Sequence, residues 1–150
     1  MNTGLLHVHN FLRWVILILL LVNIIRNYAN ANKPFSSSDK KLSLFLMIAA
    51  HLTLLVGLYQ WLFGRYSFSH IPAGVNIMKD DFWRFYVIEH PFGMIVSIVL
   101  ITVGNSFAKK KIADRKKHSK MGLFFLLALI IILITVPWPF REIVGRPLIP

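Results

Sequence analysis

The chain has no cysteine in its 150 residues, which excludes disulfides, thiolate metal centres and iron–sulfur clusters. Any metal or cofactor must therefore be held by histidine, methionine, carboxylate or backbone. Acid is also scarce: six Asp and Glu stand against seventeen Lys and Arg. Charged residues make up 15% of the sequence, well under the roughly 25% of an average soluble domain. That shortage argues against a cytosolic enzyme. In a soluble protein a net charge of +11 would point to nucleic acid. Beside membrane spans the same excess sets orientation and meets anionic lipid headgroups, so no nucleic-acid partner is expected.

What is present is apolar sequence, 56% of the chain, gathered in four blocks at about residues 10–28, 42–63, 84–107 and 121–139. Each is close to the ~20 residues that cross a bilayer as a helix. None shows the dyad alternation of a barrel strand. The expected fold is all-α, a four-transmembrane-helix bundle forming one integral membrane domain over 1–150. Ala29-Asn30-Ala31 imitates a signal-peptide cleavage site. The basic residues follow that first apolar run instead of preceding it, so the run is read as a retained helix.

The loops give an orientation. Arg26, Lys33, Lys40 and Lys41 lie between spans one and two, and seven more basic residues lie from Lys109 to Lys120 between spans three and four. The positive-inside rule places those loops in the cytoplasm and both termini on the outer, periplasmic side. Trp14, Trp61, Trp83 and Trp138 then fall near the outward ends of their helices, as an interfacial aromatic belt does. The expected location is a bacterial cytoplasmic (inner) membrane. Ser36 to Asp39 offers N-caps for the second span, and Asp80 with Asp81 suits the start of the third. Pro137 and Pro139 close the fourth, leaving Arg141 to Pro150 as a short extended tail.

Three of the six histidines have unusual positions: His51 in mid-span two, His90 within span three, and His9, with His7 nearby, at the start of span one. His70 and His118 read as solvated loop residues. An ionisable group in hydrocarbon is a functional hypothesis by default. Proton relays and binuclear metal sites want several carboxylates, and Glu89 is the only acid near a span. Haem needs only one or two imidazoles facing an apolar cavity. Ala49, Ala50, Gly57, Gly93 and Ser97 leave room for a flat macrocycle. Its propionates seek arginine, for which Arg13, Arg65 and Arg84 lie near outward helix ends. The bland alternative is a histidine that only bridges helices, a bond averaging ~0.6 kcal/mol.

Depth leaves the ligand pair open. At 1.5 Å per residue, His51 lies about 15 Å below Trp61 while His90 lies only about 6 Å below Tyr86. Axial ligands of one haem need nearly equal depth. A competing pair is His90 with His9 or His7, with His51 free for a second cofactor or a quinone. Glu89 is expected to form an ion pair near the outer interface, with Arg13, Arg84 and Arg141 as candidates.

The segments His7-Val8-His9-Asn10-Phe11-Leu12-Arg13-Trp14, Ala50-His51-Leu52, Met78-Lys79-Asp80, Arg84-Phe85 through Glu89-His90, and Pro137-Trp138-Pro139-Phe140 resemble a family of small bacterial four-helix membrane proteins labelled cytochrome b or cytochrome b561-like. The resemblance covers nearly the whole chain. It implies b-type haem and electron transfer, with His51 and His90 as the metal-ligating histidines. His9 is then an alternative cofactor ligand, and Arg13 and Arg84 meet the propionates. The expected role is an electron carrier in preference to a self-contained enzyme, with the enzyme question open, working between quinol and an outward-side or membrane partner such as another redox subunit. The rivals are a structural, anchor or small transport subunit whose histidines bridge helices, and an enzyme acting on a quinone or porphyrin.

Overall fold

A computed structural model describes residues 3–148. The elements are α1 (Thr3–Ala29), α2 (Ser37–Phe63), the short α3 (Asp81–Arg84), a π-helical turn (Phe85–Glu89), α4 (His90–Ser106) and α5 (Asp114–Thr135). α3, the π turn and α4 run on as one rod, so the chain makes four long helices. All four are long and apolar enough to cross a membrane, which marks a multi-pass membrane protein.

Local chemistry sets the ends. Ser36 caps α2 reciprocally: its hydroxyl accepts from the Asp39 N–H at 3.2 Å, and the Asp39 carboxylate accepts from the Ser36 N–H at 2.9 Å. Such a cap stabilises a helix by about 1 kcal/mol. Asp39 also takes the Arg26 guanidinium at 2.8 Å, tying the end of α1 to the start of α2. Asp80 caps α3 by accepting from the Trp83 N–H. α5 stops at Thr135 because Val136, which precedes Pro137, is extended (φ −75°, ψ 137°).

α1 packs against α2 and α5, and α4 packs against α5 and α2. The ring order is therefore α1, α2, α4, α5, with α1 and α4 on one diagonal. Neighbours run antiparallel, so α1 and α4 begin at the end of the bundle where α2 and α5 finish. The midsection between the two ends is dry: Leu20, Leu46, Ala50, Ile101, Met121, Phe125 and Ala128 are fully buried. Outward-facing positions such as Ile18, Leu55, Val99 and Ile134 are apolar, while Asn23, Asn27, Ser43, Thr53, Ser97, Asn105 and His118 are buried. Apolar outside with polar groups joining helices inside is the pattern of a bundle solvated by lipid. Glycines set the close approaches. Gly104 lies against Phe125, and Gly122 against Tyr28 and Asn27.

Several boundaries differ from the sequence reading. α1 begins at Thr3, so His9 lies within the helix instead of opening it. α5 begins at Asp114, so Arg115 to Lys120 are helical and not loop. His118 is no solvated loop residue: it is fully buried, and its Nδ1 donates to Asn27 Oδ1 at 3.0 Å. The tail is not extended either. Gly145 N–H donates to the Arg141 carbonyl and Arg146 N–H to that of Pro137, folding residues 141–148 back over the end of the bundle.

Candidate functional site

At the end where α1 and α4 begin, the bundle opens into a cavity of about 650 Å³, within the size range of cofactor sites. His9 of α1 and His90 of α4 line it from diagonally opposite helices. Their ring centres are 6.4 Å apart and their planes stand at 70°.

The two imidazoles are held differently. His90 Nδ1 lies 2.8 Å from the Thr135 carbonyl oxygen of α5. A carbonyl only accepts, so Nδ1 carries the proton and Nε2 keeps its lone pair. His9 lies against Gly57 of α2, where an added Cβ would sit 3.3 Å from His9 Cε1. The Nδ1 of His9 is buried with no hydrogen-bond partner among the described residues. That nitrogen is packed against α2 and not open to the cavity, and leaving it unpaired costs free energy.

The π turn before α4 helps to aim His90. The N–H of His90 bonds the Phe85 carbonyl five residues back, and the wider turn rotates the next residues relative to a regular α-helix. Such turns recur at functional sites. Glu89 is exposed in consequence. It accepts from Arg84 Nε at 2.8 Å, so Arg84 is the one of the three candidate arginines that pairs with it.

The cavity floor is dry. Thr53 and Ser97 both line it, yet their hydroxyls donate to Ala49 and Gly93 carbonyls of their own helices. Toward the mouth it is basic. Arg13, Arg65 and Arg146 line it. Arg13 Nη2 donates to the Leu148 carbonyl at 2.7 Å, and its Nε is buried without a partner among the described residues. Arg146 Nε donates to the Tyr86 hydroxyl at 2.8 Å, which donates in turn to the Val144 carbonyl.

These residues fit a haem. Two imidazoles that share one iron through bonds of about 2 Å have ring centres roughly 6 Å apart, close to the separation here. The lining is largely apolar, and its arginines Arg13, Arg65 and Arg146 could pair with two carboxylates. A carboxylate-rich metal centre fits less well, because no group of three or more His, Asp or Glu converges among the described residues.

The expected pairing of His51 with His90 is not what the structure brings together. His51 is exposed on the outer face of α2, with Nδ1 donating to the Met47 carbonyl of its own helix at 2.8 Å. It does not line the cavity, and neither does Arg84. Arg84 is engaged by Asp81 at 2.6 Å, by Glu89 and by the Met78 carbonyl. His7 is exposed. His9, His90 and Arg13 are the sequence candidates that meet. Gly57, Tyr86, Thr135 and Arg146 complete the site without having been singled out as a set. For Arg146 the available signal was Gly145 before it and Pro147 after it, a turn pattern within the tail.

No known protein family, curated protein or solved structure matches the chain.

Proposed function

We propose that the protein is a b-type haem protein that transfers electrons, with His9 and His90 as the residues that would hold the iron. The observation that carries this is the pair itself: two imidazoles 6.4 Å apart across one cavity, from diagonal helices, one of them with Nδ1 tied to a backbone carbonyl so that Nε2 keeps its lone pair. Haem would supply one-electron cycling between ferrous and ferric iron. The chain's own residues do the rest. The two histidines would hold the iron, Arg13, Arg65 and Arg146 would pair with the propionates, and the hydroxyls of Thr53 and Ser97 are already engaged by their own helices.

The same reading assigns the reaction to one side of a bacterial cytoplasmic membrane. The loops with most of the basic residues lie at the end of the bundle opposite the cavity, so the positive-inside rule turns the cavity outward. The buried layer of Leu20, Leu46, Ala50 and Phe125 separates it from the basic end. Electrons then enter and leave in the outer half, from quinol dissolved in the membrane to an outward-side or membrane-embedded redox partner.

The test is a reduced-minus-oxidised spectrum of the protein purified in mild detergent with haem supplied. A sharp b-type α-band is expected, lost in His9→Ala and in His90→Ala but kept in His51→Ala. A colourless protein, with His→Ala variants that lose only modest stability, would leave a structural or anchor subunit in its place.

A further inference from the structure

The geometry points to the carboxyl end of α5 as the device that orients His90, with Pro137 and Gly93 as its positioning residues. The last four carbonyls of a helix have no partner within it. Among the described residues, only that of Ile132 finds a backbone donor in α5, the Val136 N–H at 2.9 Å. Pro137 has no N–H to offer Leu133 and forces Val136 out of helical geometry. Side chains take the rest. Leu133 accepts from Trp138 Nε1 at 2.7 Å, Ile134 from Arg141 Nη1 at 3.1 Å, and Thr135 from His90 Nδ1 at 2.8 Å. Pro139 stands four residues after Thr135, where a continuing helix would place that carbonyl's own N–H donor.

Gly93 makes the reach short enough. It lies one turn after His90, and a Cβ there would run into the Thr135 side chain. The glycine therefore lets α4 close on the end of α5 at the level of the histidine. The negative end of the α5 dipole also favours a donor at that point.

The consequence concerns preorganisation. A metal-binding imidazole commonly donates its second nitrogen to a carbonyl, which fixes tautomer and ring orientation. Here the fold supplies that bond from a helix end cut by proline, so Nε2 is presented to the cavity before any metal arrives. This purpose rests on the proposed haem site, but the bond can be tested without it.

The full-length protein, labelled with ¹⁵N-histidine and held in detergent micelles without added haem, is examined by NMR, with His90→Gln identifying the His90 signals. A protonated Nδ1 with slowed exchange into D₂O is expected. Gly93→Ala and the double change Pro137→Ala/Pro139→Ala should each speed that exchange about fivefold or more, the factor for one lost hydrogen bond. Gly122→Ala, which loosens α5 against α1 beside Tyr28 and Asn27, should leave it unchanged. Protonation on Nε2 in the unaltered protein overturns the inference. So does unchanged exchange in both test variants, or equal acceleration in Gly122→Ala. A chain that never takes up haem but keeps a slowly exchanging Nδ1–H sustains the inference and removes only the haem assignment.

Discussion

The indole Nε1 of Trp61 donates to the backbone carbonyl of Val87 at 3.0 Å, joining α2 to the π turn that leads into His90. Pro91 explains why that carbonyl is free. In an α-helix Val87 would accept from residue 91, and a proline there has no N–H. Trp61 is thus a tie between two helices and not only part of an interfacial belt. Trp61→Phe keeps an aromatic ring, though a smaller one, and strands the carbonyl. It is expected to lower stability by about 1 kcal/mol, read as a lower midpoint of thermal unfolding in detergent. A midpoint equal to that of the unaltered protein would show that the bond contributes nothing.

Gly57 sets how closely His9 can lie on α2. A methyl group there meets His9 Cε1 at 3.3 Å, tight but open to a small ring shift. Gly57→Ala should therefore fold and keep the haem spectrum with a modest shift. Gly57→Leu cannot fit beside the ring, and overpacking of this kind costs about 1–3 kcal/mol. It should expel His9 from the cavity and abolish the six-coordinate spectrum while the helices persist by circular dichroism. Retention of that spectrum in Gly57→Leu would remove His9 from the ligand set.

The four spans were legible because hydropathy and length alone decide what crosses a bilayer, and the Ser36 cap because its spacing to Asp39 is local. The ligand pair was not. Depth counted along helices from Trp61 and Tyr86 argued against pairing His51 with His90 and left His90 with His9 or His7 as a competitor, without choosing between them. The structure starts α1 at Thr3, ahead of the expected span, and places a π turn just before His90. Neither change leaves a strong mark in the residues, since an apolar stretch reads alike in either register. Facing was equally hidden. His51 and His90 both sit among apolar neighbours, and only packing tells that one meets lipid and the other a cavity. His118 was misread for a related reason, because a run of lysines looks solvated although one helical face of it turns inward.

His118 and Asn27 make a buried pair between α5 and α1, 3.0 Å apart, and Asn27 Nδ2 donates onward to the Asn23 carbonyl. Asn27→Ala leaves the imidazole Nδ1–H unpaired at a fully buried site and is expected to cost about 1–3 kcal/mol. His118→Leu in the same background removes the stranded donor, so the double variant should be more stable than Asn27→Ala alone. Unfolding of the four proteins of this cycle in mixed micelles measures the difference. Additive losses would mean that the two side chains do not interact.

His51 provides the contrast with His90. Its ring lies on the lipid-facing side of α2 beside the exposed Ile48, Leu52 and Leu55, and among the described residues its hydrogen bond is to the Met47 carbonyl of its own helix. No other helix of this bundle depends on it, and a polar ring in hydrocarbon is unfavourable. His51→Leu should therefore leave stability unchanged or raise it by up to about 1 kcal/mol, with the haem spectrum intact. His90→Leu changes the same side chain inside the cavity. It strands the Thr135 carbonyl and should lose both stability and spectrum. The pair separates lipid-facing from cavity-facing histidine in a single comparison, read by thermal unfolding together with the reduced α-band. Loss of the band in His51→Leu would return that histidine to the ligand set and require α2 to be rotated from the orientation described above.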